Sequence, residues 1–480
     1  MKRSALLSIA LAALTAPAFA AEIDGLPQPA APRPIALIAP KEKTLANGLR
    51  VIVVERTGVP LLNARLLVKT GSESDPDKLG GLAGFAAELL TKGTATRTAP
   101  EIARQIESLG ASLDAGAGWD AVQVKLTTLT ASADAAFAIL ADVVRNPKFA
   151  PDEIERARHQ VLDELRVEME KPGEIARRMG SRAVLGASGY AHAASGTPAS
   201  IARIKRADLA AHHARTFTPA NALLIIAGSV KADEGFALAE KAFGDWSAGR
   251  DAPAAPAKSA AEKPRAILID MPHAGQAAVY FGAPGLARND ASFAIAEVTN
   301  AVLGVGYSSR LNQEVRVKRG LSYGAASKLL PSHALGLFAA SCQTKNESAA
   351  EVVRVIQGEL KRLATEPVPA DYLVARKAVL TGNFSRELET NEGYVKLLTD
   401  LALHGLPLDS PAHRVADINA VSADDVRAFA EKHLLPDSMS IIVAGRAKDV
   451  AKPLHEIFPK LEIIPQNKLD LDAVTMGKGR

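Results

Sequence analysis

Cysteine is almost missing from this 480-residue sequence, where Cys342 stands alone. No internal disulfide can form, so stability must come from packing. A single cysteine with no base beside it in sequence reads as a small buried apolar residue, not a nucleophile. Aromatic residues are also scarce, at 4%, while the apolar share reaches 48% and is dominated by Ala and Leu. That balance favours helices packed on sheets. Charge of one sign is lacking too: the net charge is +4, and no basic run is interleaved with aromatics, which argues against a nucleic-acid partner. Beyond the N-terminal segment no apolar run is long enough to predict a membrane span.

What is present begins at the N-terminus. Lys2 and Arg3 precede an apolar run from Ala5 to Leu14, followed by Ala18-Phe19-Ala20 before Ala21. A basic start, a short apolar stretch and small residues at the cleavage positions predict a secretory signal peptide over residues 1–20. The remaining chain of about 460 residues is too long for one core and predicts two or more domains.

An internal repeat organises those domains. Pro219-Ala220-Asn221-Ala222-Leu223-Leu224-Ile225-Ile226-Ala227-Gly228 returns as Pro436-Asp437-Ser438-Met439-Ser440-Ile441-Ile442-Val443-Ala444-Gly445, an offset of 217 residues from Gly228 to Gly445. A helix precedes each copy, and the second opens on Ser422 with Asp425 three residues later, an N-cap with an acidic first turn. Upstream, Ala150-Pro151-Asp152 and Pro369-Ala370-Asp371 each open a further helix at a similar offset. Two copies make a duplicated domain, not a solenoid. Each repeated strand is apolar throughout, as expected of a strand covered on both faces. Segments 51–55, 61–69 and 122–129 read as strands, and 79–91, 100–109 and 132–145 as helices. The Ala/Pro/Lys stretch at 247–264 reads as a linker. The predicted fold is α+β: a first domain over 21–246 and a second over 265–480, each a mostly antiparallel sheet packed with helices, joined by a hinge.

Two motifs carry the functional signal. The first is Lys78-Leu79-Gly80-Gly81-Leu82-Ala83-Gly84-Phe85-Ala86-Ala87-Glu88-Leu89-Leu90-Thr91-Lys92-Gly93-Thr94. As a bare pattern it is an amphipathic core helix, with Leu82, Phe85, Ala86 and Leu89 at helical spacing. With its flanks it resembles the zinc helix of the pitrilysin/insulinase metallopeptidases, which carries His-x-x-Glu-His after Gly-Leu-Ala and before Lys-Gly-Thr. The three functional positions hold Gly84, Ala87 and Glu88 instead. Two histidines four apart share a helix face and can bind one zinc, with the intervening glutamate as general base. Glycine and alanine offer no ligand atom, and Glu88 alone is a poor site. Glu164 matches the family's third ligand and so reads as an orphan on a helix surface. None of the ten histidines forms a replacement His-x-x-x-His pair, and His212-His213 are adjacent and diverge around their helix.

The second motif runs from Leu303-Gly304-Val305-Gly306-Tyr307-Ser308-Ser309-Arg310 through Arg316 to Gly320-Leu321-Ser322-Tyr323-Gly324. It predicts a glycine turn, a helix from about Ser309 to Lys318, a cap at Gly320 and a strand from Leu321; the bland alternative makes Arg316 a solvated helix arginine and Tyr323 a half-buried strand aromatic. It resembles the same family's C-terminal-domain signature, in which an Arg and a Tyr seven residues apart face the zinc across a closed chamber. Arg316 and Tyr323 match that pair. The resemblance implies that Arg316, with Gly304 and Gly306, binds substrate and that Tyr323 donates to the oxyanion of an attacked carbonyl.

The resemblance covers nearly the whole chain after the leader, and is nearest the bacterial and mitochondrial-processing-peptidase-like branch. It implies half of a clamshell, and with the predicted leader placing the chain in a bacterial periplasm the expectation is a non-catalytic subunit of a periplasmic heterodimer, without a metal or other cofactor of its own, whose homologous partner holds zinc and hydrolyses peptides. The rival reading is a structural or peptide-binding protein of the same fold. A third is an active homodimer with a different metal site around Glu88 and Glu164.

Overall fold

The computed structural model of the protein describes residues 37–247 and 262–477. The predicted leader, 1–20, lies outside them, as does most of the predicted linker. In the first half, Lys41–Thr44 (β1), Arg50–Glu55 (β2), Leu61–Val68 (β3), Ser112–Ala117 (β4), Val122–Leu129 (β5) and Ala222–Gly228 (β6) pair in the order β1-β2-β6-β3-β5-β4. In the second, Ala266–Asp270 (β7), Ala277–Pro284 (β8), Ala325–Leu330 (β9), Leu337–Thr344 (β10), Ser440–Gly445 (β11) and Glu462–Pro465 (β12) pair in the order β12-β7-β11-β8-β10-β9. Five strands correspond one to one, including the parallel pairs β2–β6 and β7–β11. The sixth does not: β1 runs antiparallel to β2, whereas β12 runs parallel to β7. The duplicated unit is therefore a five-stranded sheet, completed in each half by a strand from an opposite end of the chain.

Strand alternation explains the all-apolar repeat. In β6, Leu224 and Ile226 join a core with Leu66, Val124 and Phe137 of the same half, while Leu223 and Ile225 are equally buried on the reverse face. In β11, Ile441 and Val443 face their own half with Phe281 and Phe338, while Ile442 and Ala444 pack with Ile175, Ala176 and Met179. Those three belong to helix Pro172–Leu185, which lies in the first half of the sequence but packs on β8 and β11 of the second. Helix Asn391–Leu403 does the reverse, packing on β3 and β6 of the first half. The halves exchange helices. Arg56 reinforces this by donating to the carbonyls of Leu388 and Glu389, both at 2.9 Å, and stacking on Tyr394, while buried Arg65 pairs with Glu392. Each half therefore supplies a wall of the other's core.

Local expectations hold closely. The strands read at 51–55 and 122–129 and the helices read at 79–91, 100–109 and 132–145 appear as Arg50–Glu55, Val122–Leu129, Leu82–Leu89, Ala99–Ser108 and Ala133–Arg145. Ser422 caps helix Ala423–His433, accepting from the Asp425 N–H at 3.1 Å while the Asp425 carboxylate takes the Ser422 N–H at 2.8 Å.

Candidate functional site

The motif helix Leu82–Leu89 is built into two cores at once. Ala83 and Ala87 pack against the sheet of the first half, and Leu82, Phe85, Ala86 and Leu89 against Ile154 and Leu165 of helix Pro151–Met169. Asp75 caps its start, accepting from the N–H groups of Gly81 at 2.7 Å and Ala83 at 2.9 Å. Only the stripe through Gly84 and Glu88 reaches the surface. A side chain at Gly84 would begin 3.4 Å from the Ala194 carbonyl oxygen, and Ala87 is fully buried. Burial raises the pKa of Glu88; Lys92 opposes the shift and the nearby charge of Glu164 adds to it. Glu164 is exposed on its helix and accepts from Gln160 at 3.0 Å. The fold thus brings Glu88 and Glu164 near enough for their charges to interact, but supplies two like charges and no nitrogen donor.

No histidine fills the gap. His192 stands beside the start of this helix, with its ring nitrogens against the backbone carbonyls of Ser72 (2.7 Å) and Ala193 (3.1 Å). His213 contacts the Val144 carbonyl and stacks on Phe217, while His212 is buried with both ring nitrogens unpartnered. Among the described residues no cluster of three or more His, Cys, Asp or Glu side chains is placed to hold a metal ion. Zinc does not fit the residues present.

The second motif folds into a braced platform. Gly304 ends helix Phe293–Gly304 where a Cβ would fall 2.2 Å from the Ser327 nitrogen of β9, so only glycine fits. Gly306 has φ +80°, the left-handed region that favours glycine. Helix Ala370–Glu387 holds the turn from beneath: the Tyr372 hydroxyl donates to the Ser308 carbonyl at 2.9 Å, and Arg376, 2% exposed, donates to the Ser308 hydroxyl at 2.6 Å. The helix expected over 309–318 begins at Arg310 and widens into a π-helical stretch, Gln313–Lys318, which carries Arg316. Gly320, at φ +61°, closes it.

The strand expected from Leu321 starts only at Ala325. The Ser322 hydroxyl accepts from the Gly324 N–H at 3.1 Å and donates to the Gln343 carbonyl, turning the chain before it can pair. Tyr323 is therefore not a half-buried strand residue; it stands 88% exposed. Its ring lies against the Arg316 guanidinium at 4.4 Å, and Tyr307, which the sequence reading did not single out, covers Arg316 at 5.0 Å. Arg316 lines a cavity of about 630 Å³ between the N-terminal end of helix Pro172–Leu185 and strands β8, β9 and β10. Gly304 and Gly306 line it too, so the structure gathers these three predicted residues at one place, with Tyr323 stacked on Arg316. Cys342 also lines it, and burial pushes its thiol up to about 11, away from nucleophilic use.

Comparison with known proteins gives the family. The model described as Insulinase (Peptidase family M16) matches residues 50–194, and the one described as Peptidase M16 inactive domain matches residues 203–380. An uncharacterized zinc protease of Mycobacterium bovis is 30% identical over 418 residues, covering 86% of this chain and 94% of that protein. A non-peptidase homolog of Helicobacter pylori is 26% identical over 388 residues, covering 79% and 88%. The crystal structure of a peptidase M16 inactive domain from Pseudomonas fluorescens superposes with a TM-score of 0.79 at 28% identity, covering 85% of this chain and 98% of that one.

Proposed function

The chain belongs to the insulinase family of peptidases, and from that premise we propose that it is the non-catalytic subunit of an exported, periplasmic heterodimeric peptidase whose homologous partner carries the zinc. The observation that carries this reading is an asymmetry between the two motifs. Gly84, Ala87 and Glu88 have lost every nitrogen donor and the general base, while Arg316 and Tyr323 remain together on a braced turn beside a cavity. A chain selected only as a scaffold has no need of an 88% exposed tyrosine against an arginine that, among the described residues, makes no ion pair or hydrogen bond. The inactive-domain description and the non-peptidase relative support the same reading.

In this role the planar donors of Arg316 hold the substrate, with Gly304 and Gly306 giving it close approach to backbone. The Tyr323 hydroxyl donates a hydrogen bond to the carbonyl oxygen as it gains charge under attack, stabilising the tetrahedral species more than the ground state. The water, the metal and the general base come from the partner.

The experiment is reconstitution. The isolated chain should show no zinc-dependent hydrolysis of unstructured peptides, and activity should appear when the partner co-purified from the native periplasm is added. Hydrolysis by the chain alone, or a partnered complex whose rate is indifferent to this chain, overturns the proposal.

A further inference from the structure

The surroundings of Arg316 say more about its ligand than the family pattern does. Two aromatic rings flank its guanidinium, with the centre of Tyr323 at 4.4 Å and that of Tyr307 at 5.0 Å. A guanidinium flanked by rings still presents its in-plane N–H groups, and that edge matches the two oxygens of a carboxylate. Among the described residues the Arg316 side chain has no ion pair and no hydrogen bond, and neither has that of Lys328, exposed on β9 and lining the same cavity. The cavity's other charges cancel: Glu174 and Arg177 pair at 2.6 Å. Two uncompensated cations thus border a space whose lining is otherwise largely small and apolar, with Ala278, Val279 and Ala339 among the residues that form it. A neutral carbonyl would leave that charge unbalanced.

We propose that this cavity is a carboxylate-binding pocket for peptide, in which Arg316 forms the bidentate contact, Lys328 adds a second positive charge and Tyr307 with Tyr323 fixes the guanidinium plane. The proposal rests on the reading of this chain as a peptide-binding half-chamber and adds the substrate class: peptides presenting an Asp or Glu side chain, or their own C-terminal carboxylate. Tyr307 is a positioning residue here, acting through Arg316. It is in turn held by its turn, since the Asn312 side chain donates to the Tyr307 carbonyl at 3.2 Å and Arg376 secures Ser308.

The test uses the purified chain and three fluorescent ten-residue Ala/Ser peptides, read by anisotropy at about 50 mM salt, where such attraction is weakly screened. One peptide has blocked ends and a central Gln, the second blocked ends and a central Glu, and the third a central Gln and a free C-terminal carboxylate. The second or third should bind about tenfold more tightly than the first, and which of them does so identifies the source of the carboxylate. Arg316→Gln should abolish the preference, and Tyr307→Ala should weaken it several-fold, with both variants melting at the parental temperature. Equal binding of all three peptides, or a preference that survives Arg316→Gln, sinks the carboxylate pocket while leaving a peptide-binding chain. Failure of every peptide to bind sinks this proposal together with the half-chamber reading beneath it.

Discussion

Arg316 and Tyr323 meet without the help of a strand: a π-helical stretch delivers the guanidinium, and an irregular segment turned by Ser322 delivers the ring, 4.4 Å away. Because the Tyr323 hydroxyl is free of any structural hydrogen bond among the described residues, removing it tests chemistry alone. Tyr323→Phe should lower the turnover of the reconstituted complex by about 10²–10³-fold, the range for deleting one oxyanion donor. Sedimentation should show unchanged assembly. An undiminished rate removes Tyr323 from the mechanism.

Zinc affinity should be recoverable from this fold. Gly84 and Glu88 share the accessible stripe of the motif helix, and the charge of Glu164 already reaches Glu88. The double variant Gly84→His/Glu88→His should retain about one zinc per chain after dialysis, measured by elemental mass spectrometry, where the parent retains none. It should stay inert toward peptides, since Ala87 supplies no base. Stoichiometric zinc in the parent chain would contradict the metal-free reading.

Two glycines in helices should respond in opposite directions to the same substitution. A Cβ at Gly180, in helix Pro172–Leu185, would lie 2.1 Å from the ring of buried Tyr280, whereas one at Gly382, in helix Ala370–Glu387, would meet nothing within 4 Å. Gly180→Ala should destabilise by about 1–3 kcal/mol through overpacking of the exchanged helix. Gly382→Ala should stabilise by about 0.5–1 kcal/mol through backbone entropy. Chemical denaturation of both variants checks the pair.

Alkaline pH should loosen the contact between halves. His404 has one ring nitrogen 3.3 Å from Asp400 and the other 3.7 Å from Asp120, which lies in the first half. Burial works against the charged ring, but the two carboxylates outweigh it and raise its pKa from 6.5 to about 9. A raised folded pKa means that the contribution is fully present below about 6.5 and is lost as pH climbs through about 9. Melting temperatures from pH 6 to 10 should fall more steeply for the parent than for His404→Gln; parallel curves would show that His404 does not couple the halves.

Much of this was legible in residue order. The Gly228 and Gly445 repeats located the duplicated sheets, and the flanks of Gly84 identified a zinc helix without its ligands. Periodicity reports which faces are covered, so it marked β6 and β11 as buried on both sides. It does not report what covers them, and the exchange of helices Pro172–Leu185 and Asn391–Leu403 was invisible for that reason. Tyr323 was misplaced because Leu321 and Tyr323 favour a strand while the Ser322 hydroxyl redirects the backbone. Tyr307 escaped notice because its partner lies nine residues on, across the end of a helix whose π-helical winding shifts the register.

The traded helices also fix the order of events during synthesis. When the ribosome has made the first 247 residues, the reverse face of β6 still lacks the segment around Tyr394 that will cover it, and helix Pro172–Leu185 has no sheet to lie on. Covering the reverse faces of both sheets must wait for the second half of the polypeptide, since the partners lie far apart in sequence. Until then the reverse faces of both sheets offer a sticky apolar surface that any shortened product would carry into aggregation.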